Sequence, residues 1–371
     1  MYLATLKLVN FRNFLQEELS FHRGINIFTG LNAQGKTNLL EAIYYLAVSR
    51  SFRTNREADL LRFGSEYFSL KGTFQRNEES SRVAVEYRLP RRLQVRCNGK
   101  ALKRSEYIYR QPIVVFSPDD LLLVKEGPAI RRRFLDMEGS RLKPLYYRRL
   151  RDYHRALQQR NRILKEKRGS SAAARLLLEP WDLALARWGS VIIRERTKML
   201  AALESRAGFH FATLTAGKET LTLQYLPTIK FDGDPDLLEG AFLEQLRKGY
   251  TAEIRRGSTM FGPHLDDFAM LIDGRDARKY GSQGQQRSVV LALKIGEVDL
   301  FKKAGGEETI LLLDDVLSEF DEKRSAHLLQ FLLSRAGQSF ITTASPSWAA
   351  EQRWSGGAQV YNISRGKVKI D

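Results

Sequence analysis

Short runs in which apolar residues predominate occur near both ends of the chain. They lie at residues 25–28, 113–116, 309–313 and 339–342. Runs of this length without polar alternation are typical of strands that are buried on both faces, as in a parallel sheet. The pattern therefore predicts a parallel sheet whose strands come from both ends of the chain.

Two further patterns predict hairpins. Residues 83–89 and 93–97 partly alternate between apolar and polar positions, and the Asn98-Gly99 pair that follows favours a tight turn. Residues 358–363 and 367–370 flank Arg365-Gly366 and predict a terminal hairpin.

From about residue 121 to residue 249 the apolar positions recur at helical spacing instead. One stripe consists of Tyr146, Leu150, Tyr153, Leu157 and Leu164. Arg160 interrupts this stripe. A second helical stretch is expected at about residues 183–203, after a turn at residues 168–171. The middle of the chain is therefore expected to be a helical lobe.

The net charge changes this picture more than the overall composition does. The formal charge is +17, and a charge this positive favours a polyanionic partner, because binding releases counterions from phosphates. Nucleic acid is a partner of this kind. An acidic membrane surface is the alternative, but no amphipathic anchor in the sequence supports membrane binding. Residues 141–168 alone contain eleven Lys or Arg and two acidic residues, so this helical face either contacts DNA or is simply solvated.

Several classes of protein are not favoured. Cys97 is the single cysteine and the five histidines are scattered, so neither a disulfide framework nor a thiolate metal cluster is expected. No apolar run approaches the roughly 18 residues that a membrane span needs. The first residues lack the layout of a signal peptide. We expect a cytoplasmic protein without membrane contact.

One motif predicts the main ligand. Its residues are Gly30, Leu31, Asn32, Ala33, Gln34, Gly35, Lys36 and Thr37, which match the phosphate-binding loop G-x-x-x-x-G-K-[ST]. The motif lies between a predicted strand and a predicted helix, as it must. Backbone N–H groups of such a loop surround phosphates, Lys36 reaches the β- and γ-phosphates, and Thr37 ligates Mg²⁺. A glycine turn that merely starts a helix is the alternative.

Two acidic residues follow the apolar run at 310–313. Asp314 would hold Mg²⁺ together with Thr37, and Asp315 would orient or deprotonate the attacking water. Adjacent carboxylates after a buried strand are costly unless a cation offsets their repulsion. The alternative is a strand that exits into solvent with two acids.

Residues 281–285 precede a predicted helix and could bind an anion at its N-terminus. Alone, the segment could be a capped helix start. Together with the other two motifs it resembles the Leu-Ser-Gly-Gly-Gln signature of ATP-binding-cassette ATPases, in which the signature of one subunit closes on the γ-phosphate bound by the other. The resemblance implies that Ser282 acts in trans, that Gly284 and Gln285 help to bind nucleotide, and that ATP joins two copies. Residues 318–321 resemble the D-loop, which crosses that dimer interface.

Eight segments of the chain carry a more specific resemblance, and they are 8–14, 37–43, 51–54, 116–121, 131–136, 262–267, 281–287 and 312–319. Through them the chain as a whole resembles the RecF family, relatives of the SMC-type ATPases. The resemblance implies an α/β fold, an ATP-binding-cassette head of the P-loop NTPase type with an inserted basic helical lobe. The head would consist of residues 1–120, with the phosphate loop, and 255–371, with the signature and the acidic pair. The lobe would be residues 121–254.

The resemblance also implies site residues and shows departures. Arg12 is expected to help bind nucleotide. Ala33 stands where the family commonly has Gly, which is tolerated at negative φ and strained at positive φ. Leu265 replaces a common Arg, which removes a cation from a segment that could otherwise contact phosphate. Ser117 and Thr343 stand near the usual Gln and His, so Thr343 is a catalytic candidate and hydrolysis is expected to be slow.

The function implied is recombinational DNA repair and replication restart. The protein would form an ATP-dependent homodimer on double-stranded DNA near single-stranded gaps and would hydrolyse ATP slowly, as a DNA-stimulated switch. With RecR, and through RecO, it would help RecA to load. Two alternatives are the ATPase subunit of a membrane transporter and a DNA-processing nuclease. The charge and the basic lobe disfavour the first, and the lack of a second acidic or histidine cluster disfavours the second.

Overall fold

The apolar runs form strands, and the segments with helical spacing form helices. The computed structural model describes residues 1–107, 111–166, 171–230, 234, 236–305, 308–316, 320–335, 337–344 and 357–370, apart from the side chains of 105 and 171–174. The strands are β1 (Tyr2–Phe11), β2 (Phe14–Ser20), β3 (Ile25–Thr29), β4 (Tyr67–Arg76), β5 (Glu79–Arg88), β6 (Arg92–Cys97), β7 (Lys100–Leu102), β8 (Ile113–Phe116), β9 (Leu221–Leu226), β10 (Asp267–Ile272), β11 (Arg275–Asp276), β12 (Ile310–Leu313), β13 (Ser339–Thr343), β14 (Ala358–Ser364) and β15 (Lys367–Ile370). The helices are α1 (Lys36–Val48), α2 (Arg104–Tyr107), α3 (Leu122–Lys125), α4 (Pro128–Leu142), α5 (Pro144–Glu166), α6 (Ser171–Thr215), α7 (Leu238–Arg256), α8 (Ala277–Tyr280), α9 (Gln283–Gly305) and α10 (Glu322–Ser334).

A parallel sheet is built from both ends of the chain, as predicted. Its strand order is β15-β14-β3-β13-β12-β8, and β14 and β15 form the antiparallel terminal hairpin. The strands β3, β8, β12 and β13 are buried along their whole length, which is why their sequences lack polar alternation.

An antiparallel sheet of order β2-β1-β4-β5-β6-β7 completes the α/β part. The predicted turn between β6 and β7 has left-handed residues at Asn98 and Gly99, with φ of 49° and 79°. Helix α1 contacts strands of both sheets, so nearly all of its residues are buried.

The helical part of the chain is less uniform than the sequence predicts. Strand β9 lies within the stretch expected to be helical, and it pairs with β10 in a three-stranded sheet. Helix α6 is longer than predicted, because it continues through Pro180 to Thr215. Residues 168–170 of the predicted turn lie outside the described residues.

Arg160 interrupts the apolar stripe of α5, because it lies between two separate apolar clusters, one with Tyr153 and Leu157 and the other with Leu164. It is fully buried within the stripe, where its guanidinium bonds Asp182 at 2.6 Å and Glu253 at 2.7 Å and donates to Thr259 at 2.9 Å. Burial of a charge is tolerated when it is paired and hydrogen-bonded in this way. The stripe is therefore a core face, whose residues Tyr146, Tyr153, Leu157 and Leu164 are all buried.

The chain divides into two compact units. Unit 1 consists of Met1–Asp120 and Glu297–Asp371, and unit 2 of Leu121–Gly296. The second boundary therefore lies after Gly296 rather than at the expected position between 254 and 255. The reason is that residues 255–296 pack with the lobe: β10 pairs with β9, and Arg131 bonds both oxygens of Asp267, at 2.7 and 2.8 Å. The signature segment thus belongs to unit 2.

Candidate nucleotide-binding site

The phosphate loop connects β3 to α1 in unit 1. Gly30 has a φ of 143°, and a Cβ there would lie 2.3 Å from the carbonyl oxygen of Ile363. Gly35 has a φ of 119°, and a Cβ there would lie 2.6 Å from Nδ2 of Asn13. Both positions require glycine for backbone conformation and for space. Strand β14 and the turn between β1 and β2 therefore dictate the two glycines of the motif.

Lys36 lies across the loop. Its Nζ donates to the carbonyl oxygens of Gly30, at 2.5 Å, and Leu31, at 3.0 Å. Burial lowers the pKa of the Lys36 ammonium, whereas the charges of Asp315 and Asp314 raise it. The ammonium is thus held at the loop by neutral carbonyls and faces nearby carboxylates, a position suited to a phosphate anion.

Thr37 and Asp314 come together although they are far apart in sequence. The Thr37 hydroxyl donates to Oδ1 of Asp314 at 2.7 Å, and the Thr342 hydroxyl donates to the same oxygen at 3.1 Å. Burial raises the pKa of Asp314, and the hydrogen bonds from Thr37 and Thr342 lower it. A hydroxyl beside one carboxylate is the hard oxygen donor set that suits Mg²⁺, which takes its remaining ligands from phosphate and water. Among the described residues, no group of three or more His, Cys, Asp or Glu could hold a metal alone.

Asp315 and Thr343 lie at the carboxyl ends of neighbouring strands. Asp315 follows β12 in a left-handed conformation with a φ of 52°, and its N–H donates to the Thr342 hydroxyl at 2.8 Å. Thr343 ends β13 opposite Thr29, the last residue of β3, from which the phosphate loop begins. Parallel strand order therefore brings both candidate catalytic residues to the loop edge of the sheet. Their roles stay predictions.

Arg12 has an unexpected set of partners. Its guanidinium bonds both carboxylate oxygens of Glu41, at 2.8 and 2.9 Å, and donates to the Asp59 carbonyl at 2.6 Å. Glu41 is fully buried on α1 and also accepts from the Ser51 hydroxyl at 2.5 Å. Arg12 therefore ties the end of β1 to the helix that follows the loop, and the nucleotide contact implied for it stays a prediction.

Sequence reasoning missed the side chains that hold the loop from outside. Nδ2 of Asn13 donates to the Gln34 carbonyl at 2.9 Å, and Oδ1 of Asn13 accepts from Asn38 at 2.9 Å. The backbone N–H of Arg365, in the turn between β14 and β15, donates to Oε1 of Gln34 at 2.6 Å. Gln34 belongs to the loop motif, and Asn13 and Asn38 lie in segments that carry the family resemblance, but nothing in the sequence indicated that these side chains and the terminal hairpin meet at the loop.

Ala33 adopts the conformation that the sequence identified as strained. Its φ is +64°, in the left-handed region that costs a non-glycine residue about 1–2 kcal/mol. We expect Ala33→Gly to raise the free energy of unfolding by about 0.5–1 kcal/mol, because part of the relief is offset by the greater freedom of glycine in the unfolded chain. Urea unfolding of both proteins measures this difference. Ala47→Gly, at a buried helical position, should be destabilising instead, and equal losses at the two positions would contradict the strain.

The signature segment begins α9 with a reciprocal cap. The Ser282 Oγ accepts from the Gln285 N–H at 3.2 Å, and Oε1 of Gln285 accepts from the Ser282 N–H at 2.7 Å. This capping box satisfies one donor at each residue. Ser282 itself is exposed, and Gly284 and Gln285 are half-buried. Residues 318 and 319 of the expected D-loop lie outside the described residues.

Asp266 and Asp267, a second pair of adjacent acids, are bonded to other side chains of unit 2. Asp266 is buried and accepts from the Tyr225 hydroxyl at 2.6 Å and the Thr228 hydroxyl at 2.8 Å. Asp267 is paired with Arg131. Leu265, where the family commonly has Arg, is 41% exposed. Asp267 therefore fastens β10 to α4, and Asp266 fastens the start of β10 to β9 and to the segment that follows β9.

The parallel sheet, the phosphate loop between β3 and α1, and the Thr37–Asp314 contact define an ATP-binding-cassette ATPase head. The family model "RecF/RecN/SMC N terminal domain" matches residues 2–364. The chain is 39% identical over 373 residues to a DNA replication and repair protein RecF of Streptococcus pyogenes, covering 100% of this chain and 99% of the relative. The chain belongs to the RecF family.

Solved structures agree with this assignment. A structure of the recombination mediator protein RecF with ATP in the RecFOR pathway superposes with a TM-score of 0.92 at 34% identity, covering 100% of this chain and 97% of that chain. An Smc head domain from Pyrococcus furiosus superposes with a TM-score of 0.56 at 15% identity, covering 100% of this chain and 96% of that chain, which shows a shared fold alone. Among the described residues, no helix is long and apolar enough to cross a membrane.

Proposed function

We propose that this protein is an ATP-dependent DNA-binding protein of recombinational DNA repair and replication restart. In this proposal ATP drives two copies to dimerise on double-stranded DNA near single-stranded gaps, where with RecR, and through RecO, they help RecA to load in the cytoplasm. The observation that carries the ATP-dependent step is the 2.7 Å contact between Thr37 and Asp314, which joins the phosphate loop to the acidic pair. Family membership over the full chain supports the choice of DNA repair.

The residues of unit 1 suit slow hydrolysis of ATP. Lys36 leaves its carbonyl partners and binds the β- and γ-phosphates, while backbone N–H groups of the loop surround them. Thr37 and Asp314 would hold Mg²⁺, which would supply positive charge beside the phosphates. Asp315 accepts a hydrogen bond from the attacking water and orients it. Thr343 ends the neighbouring strand β13 and stands near the position where the superfamily usually has a His. A threonine hydroxyl is a weaker polar group than a His, which fits slow hydrolysis.

The signature segment, residues 281–285, supplies a further group that can contact the γ-phosphate, in addition to the phosphate loop. In the capping box the Ser282 oxygen serves as an acceptor, so the hydroxyl proton of this exposed residue remains available to donate to a γ-phosphate held by a second copy. The positive end of the α9 dipole adds to this attraction. ATP therefore joins two copies, and hydrolysis releases them.

The basic face of α5 suits DNA. Arg148, Arg155 and Arg162 follow one another at seven-residue steps, so they lie on one side of the helix, and all three are exposed. Arg162 is bonded to Glu166 at 2.7 Å, but both side chains are exposed and such a pair is weak in water. Arg149, by contrast, lies 4.3 Å from the Trp188 ring and packs α5 against α6.

A titration with gapped, blunt and single-stranded DNA, with and without ATP, tests this proposal. We expect the gapped duplex with ATP to bind most tightly. Reversing the charge of Arg148, Arg155 and Arg162 should lower affinity and reduce the slope of log affinity against log salt, by about one unit for each phosphate contact that is lost. An unchanged slope would mean that this face is only solvated. Affinity that does not depend on ATP would contradict the switch.

A further inference from the structure

The Gln285 side chain bridges the signature and the segment after α6. Its Oε1 accepts from the Ser282 N–H, and its Nε2 donates to Oε1 of Glu219 at 2.7 Å. A carboxylate only accepts, so Glu219 fixes which end of the Gln285 amide faces it. The amide oxygen is then necessarily the end that faces Ser282.

This choice of orientation matters for the signature. If the Gln285 amide rotated by half a turn, its NH₂ group would face the Ser282 N–H and two donors would meet. The Ser282 N–H would lose its acceptor, and the capping box would keep only the bond from the Gln285 N–H to Oγ of Ser282. Glu219 thus decides whether both bonds of the box hold Ser282 at the start of α9.

Glu219 is itself firmly held. Helix α6 ends in a turn where Ala216 and Gly217 have positive φ values of 55° and 72°. Thr220, the residue after Glu219, donates to Oδ1 of Asp273 from both its N–H and its hydroxyl, each at 2.9 Å. The Thr220 carbonyl also accepts from the Asp273 N–H at 3.1 Å. The carboxylate is therefore presented from backbone that is fixed on both sides.

We propose that Glu219 is a positioning residue for the signature. Acting through Gln285, it holds Ser282 in place to receive the γ-phosphate of the nucleotide bound to a second copy. The contact also connects the signature to the end of α6, the helix that packs against the basic helix α5. This inference rests on the proposed function, because Ser282 needs a second copy's nucleotide.

The test compares five variants of the full chain: Glu219→Ala, Glu219→Gln, Gln285→Ala, the double alanine variant, and Glu239→Ala as an exposed carboxylate control in the same unit. ATP-dependent dimerisation is measured by light scattering, and ATP binding to each protomer by a fluorescent ATP analogue. We expect each alanine variant at 219 or 285 to weaken dimerisation about tenfold, as for loss of a charge-assisted hydrogen bond. The double variant should weaken it no further, because the two residues act through one contact.

Three results separate positioning from a general structural role. Protomer ATP affinity and the thermal midpoint should stay at the wild-type value in Glu219→Ala, and Glu219→Gln, which offers an acceptor oxygen but no longer excludes a donor, should restore dimerisation in part. Normal dimerisation of Glu219→Ala would overturn the inference and leave the proposed function standing, as would a Glu219→Gln variant that loses as much dimerisation as Glu219→Ala. A wild-type chain that stays monomeric with ATP would instead overturn the proposed function, and the inference with it.

Discussion

Lys36→Arg is expected to abolish ATP hydrolysis, lowering its rate by at least about a hundredfold, and to weaken ATP-dependent dimerisation on DNA. Lys36 is largely buried, and its single Nζ fits between two carbonyl oxygens of the loop. A planar guanidinium is larger and cannot take the place of a compact ammonium against the phosphates. Phosphate release measures hydrolysis, and light scattering with and without ATP measures dimerisation.

The fold should survive this change, since the two hydrogen bonds of the Lys36 ammonium are made to the phosphate loop itself. Circular dichroism and the thermal midpoint check that point. Lys100→Arg, the same substitution at an exposed position of β7, is the matched control and should behave as the wild type. A Lys36→Arg protein that dimerises with ATP as the wild type does would refute the idea that ATP joins the two copies.

Asp315→Asn is expected to have an equally large effect on hydrolysis and the opposite effect on the dimer. The amide keeps the size of the side chain but cannot accept a proton from water, so the hydrolysis rate should fall by about 10²–10⁴-fold. Thr37 and Asp314 are untouched, so Mg²⁺ and ATP should still bind. The protein should then remain as a long-lived dimer with ATP, which the decay of light scattering after dilution would measure.

Glu78→Gln removes the same charge from the exposed turn between β4 and β5 and serves as the control. An Asp315→Asn protein with normal turnover would show that another group orients the water, and Thr343 would be the next residue to test. A variant that loses both hydrolysis and dimerisation would place Asp315 in binding rather than in catalysis. Comparing Asp315→Asn with Lys36→Arg therefore separates ATP-dependent dimerisation from ATP hydrolysis.

The acidic pair Asp314–Asp315 shows how much of the site could be predicted from the sequence. A buried strand that ends in two carboxylates indicated Asp314 and Asp315, because the motif is local. It did not indicate Thr342, whose hydroxyl bonds both Oδ1 of Asp314 and the N–H of Asp315. Thr342 comes from β13, and only the order of strands in the sheet places it beside β12.

Arg160 shows the corresponding limit for the core. Its place in the stripe of α5 is plain from the sequence, but its partners Asp182 and Glu253 lie on α6 and α7. A buried cation at this position is unfavourable unless both carboxylates lie beside it. Helical spacing alone therefore identifies Arg160 only as a departure from the apolar pattern of α5. The same reasoning explains the boundary at Gly296, since β10 joins unit 2 by pairing with β9.

The sequence by itself determined the strands and helices that frame the site, the phosphate loop, the acidic pair and the signature. These features depend on residues that are neighbours in the chain, where spacing and residue type suffice. The tertiary structure alone decided the positive φ of Ala33, the bond from Thr342 to Asp314 and the partner of Gln285. Each of these depends on segments that are distant in sequence and meet only when the sheets and helices pack, because side-chain contacts follow topology rather than local pattern.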